Sequence, residues 1–457
     1  MVARLLNNGQ SYSSFSFDQF WMFPQILALA FRIFRDSLGV GRAVVVAFSL
    51  IGLLGMAVLA RQLGAGLLAA VAVLVGVTEP YYLAQSRVAL SDVPGVACIV
   101  WALVCMAQFC WEDRRRWLWL SGALTAAALV IKPLTVVFAG VIGAWLILHR
   151  MRWRDHRLEL QFSALCWDAV AFASPGILVA APFVNLFDPA GEVHRTVFAH
   201  WLESRHDAPA MIRRLHGLLD FLARTFMWLP FVVAGILSAP RTARSLAIAL
   251  VTGELGSAVL LLQFPPWPNH YTLLSPVLTV LAVVGMSRAV VTLKQRFKAG
   301  RDDSGEFSGD RPNKFLAMTV SFGAGIWLIS VPWLGYNNLE VLNEPANDLT
   351  GLKAYLQHHS APQTFWLSDN AIIPYSANRL MPPSAINLAF PRTFQAYATG
   401  RDELEKVINH NAIAGIALTS PNPLDPKLVS WIRTQFPIAK VVPGDSLETT
   451  AHVFTRK

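Results

Sequence analysis

Charge is what this sequence has least of. Asp, Glu, Lys and Arg make up 15% of its 457 residues, against 54% hydrophobic residues, and the mean hydropathy is +0.44. Soluble domains carry charge on about a quarter of their residues, so that class is excluded. Cysteine is also scarce. Cys98, Cys105, Cys110 and Cys166 lie in or beside apolar runs, with neither a disulfide framework nor a metal-type spacing. They read as buried small hydrophobes. Internal repeats and low-complexity tracts are absent. The net charge is +9, but the basic residues are scattered between apolar runs. Nucleic-acid binding, which needs a basic face on a folded domain, is therefore excluded.

What the chain does have is a series of apolar segments. Ten spans are expected: Ala43–Ala60, Leu63–Val77, Val93–Cys110, Trp117–Ile131, Pro133–Leu148, Ala164–Phe187, Phe226–Ala239, Leu246–Gln263, Thr272–Val290 and Phe315–Gly335. Several are shorter than the roughly 20 residues that cross a bilayer at right angles, so their ends should extend into the polar flanks. One set of connecting loops holds 16 basic residues, among them Arg114, Arg115, Arg116, Arg150, Arg152, Arg154 and Arg157. The opposite short loops hold six: Arg87, Arg195, Arg205, Arg213, Arg214 and Arg224. The richer side is cytoplasmic by the positive-inside rule. Asp92, Lys132, the loop 188–225 and everything after Tyr336 then lie outside.

This alternation also places residues 1–42 outside, with Arg4, Arg32, Arg35 and Arg42 among them and no apolar span ahead. Export of such a segment needs a leading helix, so a first span is expected to be missing. Three regions result. Residues 1–42 form an outer-face loop with an interfacial amphipathic helix, Phe23–Phe34, anchored by Trp21 and Phe23. Residues 43–335 form the transmembrane domain. Residues 336–457 form a small extracytoplasmic α/β domain, in which helices are expected at 349–358, 402–410 and 425–436. Strands are expected there at 364–367, 415–418, 439–442 and 451–455.

Four constellations could carry chemistry. Arg87 and Asp92 flank the start of the third span, and a carboxylate there is costly unless it meets water, a cation or a substrate. A structural ion pair at a helix start is the alternative. Lys132, caught between Ile131 and Pro133, is either an interfacial lysine or a point charge suited to a phosphate. His270 and Tyr271 follow the rigid run Pro265–Asn269 and precede Pro276, in an outer loop that could equally be solvated. His194, His200, His206 and His216 match no zinc pattern, and their loop reads as an interfacial cover over the site. Glu254, inside the eighth span, faces either a polar cavity or a partner.

Taken in order, these segments resemble the GT-C glycosyltransferases, a family that includes protein O-mannosyltransferases and the aminoarabinose transferase of lipid A. Leu6–Tyr12 leading to Phe23-Pro24 looks like the end of that family's first outer loop. Ser86-Arg87 with Asp92 looks like the second outer loop, and Gly122–Lys132 resembles the family's stretch ending in lysine. His270–Pro276 resembles its late outer loop, and the tail resembles the small extracytoplasmic domain of bacterial members. The resemblance implies an enzyme of a bacterial inner membrane that moves a sugar from a polyprenyl-phosphate donor to a lipid, polysaccharide or protein. No metal or further cofactor is assigned.

Asp92 and Lys132 would be catalytic, with Arg87, His270 and Tyr271 binding substrate. The family's catalytic acid, in the first outer loop, has no counterpart here, and Asp18 does not occupy its place. A catalytically inactive truncated homologue, a glycolipid-binding receptor and a lipid flippase are the rival readings. A flippase predicts inverted repeats and broken midplane helices, and the sequence shows neither.

Overall fold

The computed structural model describes residues 1–9, 21–154, 157–183, 208–240, 243–262, 268–299, 332, 335, 338, 350–368, 372–382, 401–418, 426–443 and 450–455. The chain forms two compact units. One combines Met1–Asp18 and Pro24–Gly41 with Glu344–Lys457, and the other combines Gln19–Phe23 with Arg42–Asn343. The leading segment and the tail, set apart in the sequence as separate regions, therefore pack into one unit.

The larger unit is helical: α3 (Leu38–Ala60), α4 (Val71–Thr78), α5 (Pro80–Ser86), α6 (Asp92–Glu112), α7 (Arg115–Ile131), α8 (Val136–His149), α9 (Phe162–Ala180), α10 (Ala208–Thr225), α11 (Leu229–Ser238), α12 (Arg244–Leu261) and α13 (Ser275–Ala299). A hairpin, β1 (Met151–Arg154) with β2 (Arg157–Leu160), fills the short connection between α8 and α9. The sequence reading treated that connection only as a basic loop. Among the described residues, five stretches are long and apolar enough to cross a membrane, Leu38–Thr78, Asp92–Glu112, Phe162–Phe183, Arg214–Ser238 and Arg244–Leu261. The chain is an integral membrane protein. The expected span Phe315–Gly335 lies outside the described residues except at 332 and 335.

Leu38–Thr78 is not one straight rod. A helix of that length would hold Ser49 and Tyr82 about 50 Å apart, yet the Tyr82 hydroxyl donates to the Ser49 carbonyl at 3.0 Å. Gly76 likewise faces the side chains of Leu53 and Met56. The reversal falls at Gly64 and Gly66, whose φ values of 92° and 58° are ones that residues with a Cβ rarely adopt. The run is thus a helical hairpin of two spans, as the sequence predicts.

Small residues bring the remaining helices close. A Cβ at Gly122 of α7 would strike the Phe172 carbonyl of α9, and one at Gly285 of α13 would strike the Phe231 carbonyl of α11. Backbones meet there directly, which is how helices gain packing in a lipid that offers no hydrophobic contrast. α6 and α7 run antiparallel, and the Ser121 hydroxyl donates to the Ala102 carbonyl at 2.9 Å. Cys98 and Cys105 are buried in α6, but Cys166 is exposed on α9. The expectation that all four cysteines are buried fails there, and Cys110 is only half-buried.

In the smaller unit, α1 (Val2–Asn7) and α2 (Met22–Ile33) precede the hairpin in sequence. Its α/β part comprises α14 (Thr350–His359), β3 (Phe365–Ser368), α15 (Ile372–Ser376), α16 (Arg401–His410), β4 (Ile413–Leu418), α17 (Pro426–Gln435), β5 (Ile438–Pro443) and β6 (Thr450–Thr455). The sheet order is β3-β4-β6-β5, with β3 parallel to β4 and the other pairs antiparallel. Alternate residues of the central strands face opposite layers. Ile416, Leu418 and Phe454 pack with Trp431 and Phe436, while Ala417 and Val453 pack with Leu352, Leu356 and Trp366. The leading segment joins through Arg4. Its Nε lies 2.6 Å from Asp36, its Nη1 donates to the Tyr375 carbonyl at 2.9 Å, and the Tyr375 hydroxyl donates to Asp36 at 2.8 Å. Burial and the neighbouring Asp36 carboxylate both push the Tyr375 hydroxyl above the usual phenol range.

Candidate active site

The end of the bundle where α6 begins gathers most of the predicted site. Asp92 is the first residue of α6 and is buried. Lys132 closes α7 in an extended conformation (φ −144°, ψ 100°) because Pro133 starts a 3-10 turn and bars helix at the residue before it. The antiparallel packing of α6 and α7 brings the two together, with Lys132 Nζ 2.6 Å from Asp92 Oδ1. The lysine side chain keeps 11% of its surface exposed and the aspartate 5%. Gly95, one turn into α6, leaves room for the Lys132 stem.

Asp92 has a second partner. Asn269, in the 3-10 turn Pro268–Leu273, donates from Nδ2 to Asp92 Oδ2 at 3.0 Å. Both carboxylate oxygens are thereby engaged, and one of them balances the lysine. Arg87 caps the C-terminus of α5, five residues ahead of Asp92, and is exposed. His270 is half-buried beside Asn269.

Tyr271, expected to bind substrate, is engaged by protein groups. It is 3% exposed, its hydroxyl donates to the Arg214 carbonyl at 3.4 Å, and its ring lies against Tyr81 and Phe221. Tyr81 in turn donates to Asp220 at 2.7 Å, and Asp220 also holds Arg224 at 2.9 Å. The position of His216 is described, on α10, and it is exposed; Asp18, His194, His200 and His206 lie outside the described residues. No group of metal-binding side chains occurs among the described residues.

Sequence reading missed Glu79. Its side chain is fully buried and accepts from the backbone N–H of Tyr81 at 3.1 Å, the N–H of Tyr82 at 2.6 Å and the hydroxyl of Ser275 at 2.6 Å. The signal was present, since an acid directly before a proline is a helix-start signature, but an apolar run hid it. Glu254, singled out in the sequence, lies on α12. Its Oε2 is buried without a hydrogen-bond partner among the described residues.

The family described as Dolichyl-phosphate-mannose-protein mannosyltransferase matches residues 18–177, the stretch that holds Glu79, Arg87, Asp92 and Lys132. No curated protein matches the chain in sequence. Among solved structures, the ArnT of Cupriavidus metallidurans bound to undecaprenyl phosphate is similar over 99% of this chain and 91% of that one, at 13% identity and a TM-score of 0.57. The oligosaccharyltransferase of Archaeoglobus fulgidus, tethered to an acceptor peptide with an NVT sequon, is similar over 96% of this chain and 65% of that one, at 11% identity and a TM-score of 0.51. The chain therefore shares the fold of these two membrane glycosyltransferases over nearly its whole length, and its first part is similar to the mannosyltransferase family.

Proposed function

We propose that the chain transfers a sugar from a polyprenyl-phosphate donor to an acceptor at the outer face of a bacterial inner membrane. The observation that carries this reading is the ion pair of Lys132 and Asp92, seated where two helices of a GT-C bundle break at one end. The likeness to a structure holding undecaprenyl phosphate supports the donor class.

The charges suit such a donor. Arg87, Asp92 and Lys132 together carry +1, and a phosphodiester-linked sugar carries one negative charge. As the bond from sugar to phosphate breaks, the leaving phosphate gains negative charge. A preorganised ammonium in a largely desolvated place stabilises that change more than water would. Asp92 holds Lys132 in place while Asn269 fixes Asp92, so little reorganisation is needed during transfer. Arg87, on the exposed cap of α5, supplies the second positive charge, and His270 binds the donor phosphate or sugar hydroxyls. The excess of basic residues in the opposite loops supports placing this end outside.

The test is transfer from a radiolabelled polyprenyl-phosphate sugar by the chain reconstituted in liposomes. Wild type should transfer label, and Lys132→Ala should lose about a hundredfold in rate, on the order of 3 kcal/mol. Unchanged transfer by Lys132→Ala removes the role given to that lysine. Movement of labelled lipid between leaflets without transfer favours a flippase.

A further inference from the structure

Glu79 stands outside the ion pair but links the pieces around it. Its carboxylate caps α5 through the N–H groups of Tyr81 and Tyr82. The same carboxylate accepts from Ser275, the first residue of α13, at 2.6 Å across 196 residues of sequence. α5 ends at Arg87 and leads into Asp92. α13 is entered from the turn that carries Asn269, His270 and Tyr271. The two segments therefore meet three times: at Glu79–Ser275, at the Tyr81 and Tyr271 rings 5.7 Å apart, and at Asp92–Asn269. Only the last of these belongs to the charged site.

We infer that Glu79 is a positioning residue, a buried staple that sets the turn Pro268–Leu273 against the segment holding Arg87 and Asp92. The argument rests on the proposed donor reading for its consequence but on geometry for its mechanism. A helix cap needs only a side-chain oxygen, and Ser, Thr, Asn or Asp would serve. A glutamate fully buried at the end of an apolar span is costly unless its oxygens are all engaged. Here Oε1 takes the Tyr81 N–H, and Oε2 takes both the Tyr82 N–H and the Ser275 hydroxyl. Bonds to an ionised acceptor are shorter and about twice as strong as neutral ones. A cap alone does not require the third bond. The staple does.

Ser275→Ala separates the two roles, since it leaves the cap intact and removes only the link to α13. Glu79→Gln removes the charge, and Glu79→Asp keeps the charge on a shorter reach. Hydrogen exchange on the whole chain in detergent reads the geometry directly, and binding of undecaprenyl phosphate reads its consequence. Ser275→Ala should raise exchange at least fivefold at Asn269–Leu274 while Tyr81 and Tyr82 stay protected. It should weaken undecaprenyl phosphate binding about tenfold with the melting temperature close to wild type. Glu79→Gln should raise exchange in both segments, and Glu79→Asp should restore part of the protection.

Exchange that stays at the wild-type level across Asn269–Leu274 in both Ser275→Ala and Glu79→Gln overturns the inference and leaves Glu79 a local cap. Wild-type protein that binds no undecaprenyl phosphate refutes the donor reading instead, and the exchange result still decides the staple.

Discussion

At the end of the bundle where α6 finishes, Arg115 and Arg150 converge on Asp168; at the end where it begins, Lys132 reaches Asp92. Asp168 is fully buried on α9 and holds Arg150 Nε at 2.6 Å and Arg115 Nε at 3.2 Å. Arg150 also reaches Asp113 at 2.6 Å, a residue in the left-handed conformation (φ 52°) that ends α6. Two arginines and two aspartates cancel, and the cluster ties the end of α6, the start of α7, the end of α8 and the body of α9. Its charge is spent on itself. At the other end Asp92 holds Lys132 at 2.6 Å and Asn269 at 3.0 Å, and Arg87 lies on the exposed C-terminal cap of α5 nearby in sequence. A cluster of two arginines on two aspartates holds helices together, whereas a single lysine fixed by one aspartate presents a preorganised ammonium at a helix break.

Substitutions at the two ends should therefore separate stability from activity. The largest effect is expected from Asp168→Ala, which strands Arg150 with one half-exposed partner. Breaking a buried pair by removing one side costs about 3–5 kcal/mol. Denaturant or thermal unfolding in detergent should show that loss, and an unchanged melting point would contradict a structural role for the closed end. Lys132→Ala comes next, with the roughly hundredfold loss in transfer set out above. Its melting point should fall less than that of Asp168→Ala, because the freed Asp92 keeps its bond from Asn269. Lys132→Arg should recover only part of the rate, since a planar fork does not fit the place of a compact ammonium. Full recovery would mean that charge alone matters at this position.

A smaller loss is expected from Asn269→Ala, which removes one neutral donor from a carboxylate. Such bonds contribute about 1.5 kcal/mol, near a tenfold effect on transfer. A variant that unfolds early but transfers at the wild-type rate would move Asn269 to the structural side of the comparison. The smallest effect should come from Tyr375→Phe in the other unit. Loss of its bond to Asp36 should cost about 1 kcal/mol in unfolding and leave transfer unchanged. A fall in transfer would show that the smaller unit contributes to the reaction.

Every element expected in the tail is found to within about two residues, because alternating burial and helix-start acids are local signals, while the short helix Ile372–Ser376 was not expected. The reversal between Ala60 and Val71 was legible for the same reason, since Arg61 and the glycines interrupt an apolar run. Asp92 and Lys132 stood out because a charge beside a membrane span is rare. Their distance was not written anywhere in the chain. It follows from the antiparallel packing of α6 on α7, and that packing depends on small side chains whose positions carry no charge signal.

The sequence by itself therefore determined that the chain crosses a membrane, where it turns, and which charged residues lie at its surfaces, since these depend on hydropathy and on neighbours a few residues away. Tertiary structure alone decided that Asp92 binds Lys132 and Asn269, that Asp168 is closed off by two arginines, that the residues near the start pack with the tail, and that Glu79 reaches Ser275. Those pairings join residues up to some 370 positions apart. Only the close approach of helices, set by packing and by the need of buried polar groups for partners, brings them into contact.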